Sequence, residues 1–248
     1  MSKIALVTGA TSGIGWASAL LLAEEGYDLI LCGRREERLD ELSEKVNTKT
    51  LKLAFDVRDR DRVKEAISSI PENWKSIDIL INNAGNAHGL SKVQDGNIDD
   101  WDAMIDINVK GLLYVTKAIV PGMVERGAGH VVNIGSIAGK EVYPNGNVYC
   151  ASKHAVDAIN NGMRIDLVGT GVKVSQVCPG LVETEFSMVR FKGDEDRSKG
   201  VYEGFDALTA HDVADLIRFI VTRPKHVNIS DTMILPTAQV ASTIVDKN

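Results

Sequence analysis

Short apolar runs alternate with longer stretches of mixed polarity along the whole chain. The runs lie near residues 3–8, 28–32, 50–55, 77–82, 129–135, 171–177 and 227–235, and between them apolar residues recur at helical spacing. Runs that are apolar on every residue, rather than on every second one, suit strands covered on both faces. Strands separated by helices join through right-handed crossovers into one parallel sheet. The pattern therefore predicts an α/β fold with seven parallel strands in a single domain spanning residues 1–248. Helix starts are marked by Asn97 with Asp100 three residues on, and by Thr209 with Asp212 three residues on. Trp101 to Val124 reads as one helical run. Internal repeats, low-complexity tracts and interdomain linkers are absent. One stretch, near residues 180–207, is too polar and Gly-broken to be core, and it begins where a strand ends. Ligands bind at the carboxyl ends of strands in open parallel sheets, so this stretch is expected to be a lid over the substrate.

The turn after the first strand carries the first chemistry. Val7-Thr8-Gly9-Ala10-Thr11-Ser12-Gly13-Ile14-Gly15 stands between a strand-like run and the helical run from Ala17 to Glu24. Glycines there let a pyrophosphate approach the backbone, and the helix N-terminus offers free N–H groups and a positive dipole end. A Gly-rich turn alone is a weak signal; the flanking strand and helix supply the context of a doubly wound Rossmann fold. The next strand should end in a carboxylate if the ribose 2′-hydroxyl is to be read. Here Asp28-Leu29-Ile30-Leu31-Cys32 runs into Gly33-Arg34-Arg35. Two guanidinium groups suit a 2′-phosphate, so NADP is expected rather than NAD. The plainer alternative is that Arg34 and Arg35 begin a solvated helix with Glu36 and Glu37.

Tyr149 and Lys153 stand four residues apart in a helical run, which sets their Cβ atoms about 5–6 Å apart on one face. An ammonium beside a phenol favours phenolate and draws its pKa down from about 10. That would make Tyr149 a usable acid or base near neutral pH. The spacing by itself recurs often by chance; the other motifs give it weight. Ser136, at the end of an apolar run, is a second reactive candidate. Asn108 lies inside a helical run, where a short amide competes with helical hydrogen bonding and is consistent with a local break.

Composition narrows the setting. Apolar residues make up 44% and charged residues 25% of 248, ordinary globular usage that provides a large core. A formal net charge of −6, with no basic cluster, argues against a nucleic-acid partner. Cys32, Cys150 and Cys178 are scattered among apolar or small residues and read as reduced interior thiols, not a disulfide framework. A cytoplasmic location follows as an expectation, with no leader before the first strand and no apolar run of membrane-spanning length. The five histidines show no metal-ligand spacing, so no metal is expected.

Together these residues resemble a short-chain dehydrogenase/reductase of the compact type over essentially the full length. The matching segments are Thr8 to Gly15, Asp56-Val57, Asn82-Asn83-Ala84-Gly85, Asn108, Ser136, Tyr149 with Lys153, and Pro179-Gly180 with Thr184. The resemblance implies a hydride transfer between NADP and an alcohol carbon. Cofactor contacts would come from Gly9, Thr11, Ser12, Gly13, Ile14, Gly15, Arg34, Arg35, Asp56, Val57, Asn83, Gly85, Pro179, Val182 and Thr184, together with Tyr149 and Lys153. Tyr149 would move the proton, Ser136 would hold the carbonyl oxygen, Lys153 would support both Tyr149 and the nicotinamide ribose, and Asn108 would serve a proton relay. A homotetramer is implied, paired through the long helices after Asn97 and Asn147. The apolar residues Leu112, Leu113, Val115, Ile119, Val120 and Met123 would supply that contact.

Within the family, four segments resemble NADP-dependent 3-hydroxy acid dehydrogenases of the serine and allo-threonine type: Asn108 to Tyr114, Asn133 to Gly139, Leu181 to Ser187 with Val189 to Gly193, and Leu235 to Gln239. Such a substrate carries a carboxylate, and Arg190 is the candidate to bind it, with Lys140 and Lys192 as competitors. A general carbonyl or 3-oxoacyl reductase is the alternative enzyme, and a non-enzymatic NADP-binding regulatory protein the alternative of another class.

Overall fold

The computed structural model describes residues 2–247. Its centre is a seven-stranded parallel sheet ordered β3-β2-β1-β4-β5-β6-β9. The strands are β1 (Ile4–Thr8), β2 (Asp28–Gly33), β3 (Thr50–Ala54), β4 (Ile77–Asn82), β5 (Gly129–Ile134), β6 (Val172–Pro179) and β9 (Asp231–Ile234). Strand order reverses direction beside β1, between β2 and β4, which opens a crevice at the carboxyl ends.

The continuous apolar runs are explained by burial on two faces. In β1, Ala5 and Val7 join one core with Leu22 of α1 (Gly13–Glu24), Leu39 and Leu42 of α2 (Glu36–Lys45), and Ile217 of α9 (Ala210–Val221). Ile4 and Leu6 of the same strand join a second core with Val63 of α3 (Arg60–Ser68) and Val115, Ile119 and Met123 of α5 (Leu112–Arg126). Thr209 and Asp212 form a reciprocal capping box at the start of α9, and the Asn97 side chain caps α4 (Ile98–Ile105) by accepting from the Asp100 amide.

Several details differ from the sequence expectation. The run Trp101 to Val124 is not one helix: α4 gives way to a π-helical turn over Asp106–Gly111 before α5 begins. The last sheet strand contracts to Asp231–Ile234, because the Val227 amide closes a turn onto the Pro224 carbonyl. After β6 and its following two-residue strand β7 (Val182–Glu183), the stretch expected to be irregular holds α7 (Glu185–Arg190) and α8 (Glu195–Gly200). Strand β8 (Leu208–Thr209) pairs with β7, and β10 (Gln239–Ala241) pairs with β11 (Ile244–Val245). Strands of two or three residues are too short to display an alternation in sequence.

The six apolar residues assigned to a subunit contact are mostly core. Leu112, Val115, Ile119, Val120 and Met123 are buried within this chain, and Leu113 is the exposed one, at 41%. Ile98, Val124 and Ile165 on α4, α5 and α6 (Asn147–Asp166) are exposed instead. Among the described residues, no helix is long and apolar enough to cross a membrane, and no cluster of metal-ligating side chains occurs. Cys32, Cys150 and Cys178 are all buried and free.

Candidate active site

The carboxyl ends of β1, β2, β4, β5 and β6 rim one cleft of about 440 Å³. At its floor the chain leaves β1 through Gly9, whose φ is +65°. A Cβ on Gly9 would meet Asn83 Nδ2 at 2.8 Å, and one on Gly15 would stand 2.3 Å from the Gly9 carbonyl oxygen. The Asn83 side chain donates to the carbonyls of Thr8 (2.9 Å) and Gly9 (3.2 Å), locking the turn against β4. Thr11, Ser12, Gly13 and Ile14 line the cleft, whereas Gly15 packs behind the turn. Ser12 precedes α1 without capping it, which leaves the first N–H groups of α1 free for an anion. A pyrophosphate fits this cradle.

Along the cleft, Asp56, Val57, Asn83 and Gly85 line one wall, and Pro179, Val182 and Thr184 line another. Arg34 and Arg35 stand at one end. Arg35 donates from Nη2 to the Thr11 carbonyl (3.1 Å) and hydroxyl (3.2 Å), and from Nη1 to Glu185 (3.0 Å). Arg34 lies 3.8 Å from Asp56, which is more tightly held by Arg58 at 2.7 Å. Although burial opposes it, the hydrogen bonds and charge of Arg58 hold the Asp56 carboxyl below its ordinary range. Sequence reasoning missed Arg38, whose Nε donates to the Thr11 carbonyl at 3.3 Å while its guanidinium lies over the Trp16 ring. Its position three residues after Arg35 on α2 was the available signal.

At the other end Tyr149 and Lys153 emerge from one face of α6, both buried. The Lys153 ammonium donates to the Ile134 carbonyl at 2.9 Å. Burial pulls its pKa down to about 8. Tyr149 corrects the sequence expectation: burial drives its phenol well above 10, and no lowering by Lys153 figures among the main causes. The two groups that draw it back are the Ser136 hydroxyl and the positive charge of Arg190. Loss of solvent dominates the shift of each group. Ser136 itself accepts from the Ala138 amide at 3.0 Å and lines the cleft beside Tyr149.

Asn108 does not line the cleft. It sits on the π-helical turn, where its amide donates to the Asn86 carbonyl (2.8 Å) and the Ser152 hydroxyl (3.0 Å) and accepts from the Asn86 amide (2.8 Å). The expected local break is thus a π-turn that ties the segment after β4 to α6.

Helix α7 contributes Arg190 to the same end. Its Nη2 donates to the Tyr143 hydroxyl at 2.8 Å and its Nε to the Gly89 carbonyl at 3.3 Å. The guanidinium carbon lies 5.4 Å from the Tyr143 ring centre and 5.5 Å from that of Tyr149. The competitors are engaged elsewhere: Lys140 pairs with Asp157 and Asp231, and Lys192 with Asp100 at 2.9 Å. Phe186 packs edge-on against Tyr149, with ring centres 5.6 Å apart. Tyr143 carried no sequence signal, and Phe186 only its place in a segment of family resemblance, because each reaches the cleft through the path of the chain around it.

Comparison with known proteins agrees with this geometry. A family model described as short chain dehydrogenase matches residues 3–195. The NADP-dependent 3-hydroxy acid dehydrogenase YdfG of Salmonella typhi is 46% identical over 237 residues, covering 95% of this chain and 96% of its own. Sulfoacetaldehyde reductase 2 of Chromohalobacter salexigens is 45% identical, covering 100% of each chain. Among solved structures, the closed form of serine dehydrogenase complexed with NADP+ superimposes with a TM-score of 0.94 at 43% identity, covering 99% of both chains.

Proposed function

This chain belongs to the short-chain dehydrogenase family, and we propose that it oxidises and reduces small 3-hydroxy acids of the serine or allo-threonine type with NADP. It is an NADP-dependent oxidoreductase. The observation that carries the substrate class is the Arg190 guanidinium, which lines the same cleft as Tyr149 and lies 5.5 Å from the Tyr149 ring centre. A desolvated carboxylate needs such a partner, and the planar fork of arginine matches it.

The cofactor supplies or accepts the hydride. Ser136 donates toward the substrate oxygen and stabilises charge that develops there. Tyr149, which burial keeps protonated at neutral pH, gives its proton to the forming alkoxide during reduction. In oxidation Tyr149 first releases its own proton to solvent, a loss that the Ser136 hydroxyl and Arg190 charge ease, and the phenolate then takes the proton of the substrate alcohol. Lys153, buried beside the cleft with a pKa near 8, supports the cofactor ribose and Tyr149. Asn108 holds the π-turn and the segment after β4 in register with α6, and we assign it the relay to solvent. Residues near 180–207 act as the lid.

A second reading is favoured by one observation, the 45% identity to a sulfoacetaldehyde reductase over the whole chain. Arg190 would serve a sulfonate as well as a carboxylate. Initial rates on 3-hydroxy acids, matched neutral alcohols and a sulfonated aldehyde, each with both nicotinamide cofactors, test the assignment. Turnover that depends on the acid group and on NADP supports the first reading. Preference for the sulfonate selects the second, and indifference to the anion selects a general carbonyl reductase.

A homotetramer in the cytoplasm completes the proposal. The exposed Ile98, Leu113, Val124 and Ile165 support pairing along α4, α5 and α6, and three buried free thiols suit a reducing compartment. A monomer by light scattering at micromolar concentration would overturn the tetramer.

A further inference from the structure

Glu185 opens α7, the first helix of the lid, directly after Thr184, whose side chain faces Gly13 across the cleft. Its carboxylate reaches back over the Gly-rich turn to Arg35 at 3.0 Å. All three guanidinium nitrogens of Arg35 are then engaged: Nε and Nη2 on Thr11, Nη1 on Glu185. Arg34, the neighbouring cation, has Asp56 at 3.8 Å. The two guanidinium groups assigned to the 2′-phosphate thus already face two carboxylates, one from β3's exit and one from the lid.

We propose that Glu185 is a specificity-determining residue that competes with the 2′-phosphate for Arg35, weakening retention of the phosphorylated cofactor while leaving NAD unaffected. The inference rests on Arg34 and Arg35 reading that phosphate. A 2′-phosphate carries close to two negative charges near neutral pH, so it either displaces the Glu185 carboxylate or is repelled by it. Either outcome weakens the hold of Arg35 on the phosphate. NAD has no such group and leaves the pair intact. Both side chains of the pair are about half exposed, so the repulsion is screened and salt-sensitive.

The test is cofactor affinity, measured by fluorescence titration of the intact protein with NADPH and NADH at low and high salt. Glu185→Gln keeps the size of the side chain and removes the charge. It should tighten NADPH binding by about three- to tenfold at low salt, less at high salt, and leave NADH nearly unchanged. Glu185→Lys should tighten NADPH further. An equal change for both cofactors would reduce Glu185 to a structural tether and overturn the proposal, as would an unchanged or weaker NADPH affinity. Arg35→Ala separates this from the reading beneath it. If Arg35→Ala weakens NADPH selectively while Glu185→Gln is silent, the competition alone fails. If Arg35→Ala leaves the cofactor preference intact, the phosphate assignment itself is wrong.

Discussion

At the phosphate end of the cleft, Arg34 and Arg35 keep 59% and 41% of their side chains in solvent, and each stands beside a carboxylate. At the reacting end, Tyr149 and Lys153 are buried, and Arg190 meets two aromatic rings and a phenol hydroxyl instead of an acid. The same kinds of charge therefore act under different dielectric conditions. In solvent, partners are interchangeable and salt weakens them. In the buried end desolvation dominates, and each group's pKa and position depend on few neighbours. On the proposed function, recognition of the cofactor phosphate falls where binding must be reversible, and proton transfer where water is kept out.

The largest test of that contrast removes the buried proton donor. Tyr149→Phe should lower turnover by about 10²–10⁴-fold while NADPH still binds by titration. Turnover near that of the parent enzyme would break the mechanism. Next, Arg190→Ala should raise KM for a free 3-hydroxy acid by about 10–100-fold, the value of a charge-assisted contact, and leave KM for a neutral alcohol little changed. Equal loss on acid and neutral substrates would make Arg190 a structural part of the lid.

Lys153 gives a stability counterpart. Its folded pKa of about 8 lies below its ordinary 10.5, so the folded state releases the proton first. The penalty for burying the ammonium is complete below about pH 8, and stability rises as pH increases through 8 toward 10.5. Lys153→Met should abolish activity yet stabilise the fold at pH 7 by about 2 kcal/mol, after allowing for the lost bond to Ile134. Thermal unfolding would show a higher Tm at pH 7 and a smaller advantage at pH 10; a lower Tm at pH 7 would contradict burial as the dominant cause. The smallest effect is expected at the solvated end. Replacing Arg34 and Arg35 together by Ala should reduce the preference for NADP over NAD by about tenfold, since exposure and existing pairs discount each contact. Raising salt should shrink the difference. A change as large as that at Tyr149 would erase the contrast between the ends.

Much of this molecule is legible along the chain because its signals are local. Continuous apolar runs pointed to strands covered on both faces, and the placement of Gly9 to Gly15 between a run and a helical pattern pointed to a turn fit for a cofactor phosphate. The i, i+4 spacing put Tyr149 and Lys153 on one face of α6 without reference to any other element. The break at Asn108 could be suspected from an amide inside a helical pattern, but its form, a π-turn fastened to Asn86 and Ser152, depended on partners 22 and 44 residues away.

What the tertiary structure alone decided follows from distance in sequence and from loss of solvent. Arg190 stood ahead of Lys140 and Lys192 only by the shape of its guanidinium until the fold engaged Lys140 with Asp157 and Asp231, engaged Lys192 with Asp100, and turned Arg190 into the cleft. Spacing predicted that Lys153 would lower the Tyr149 pKa, yet burial raised it, because the cost of a charge depends on everything packed around it and not on one neighbour. Glu185 lies 150 residues from Arg35, and no pattern along the chain could pair them. The sequence by itself determined which residues share a strand or a helix face, since those relations are set by backbone geometry; which charges meet, and at what cost, was settled only when distant segments excluded water from between them.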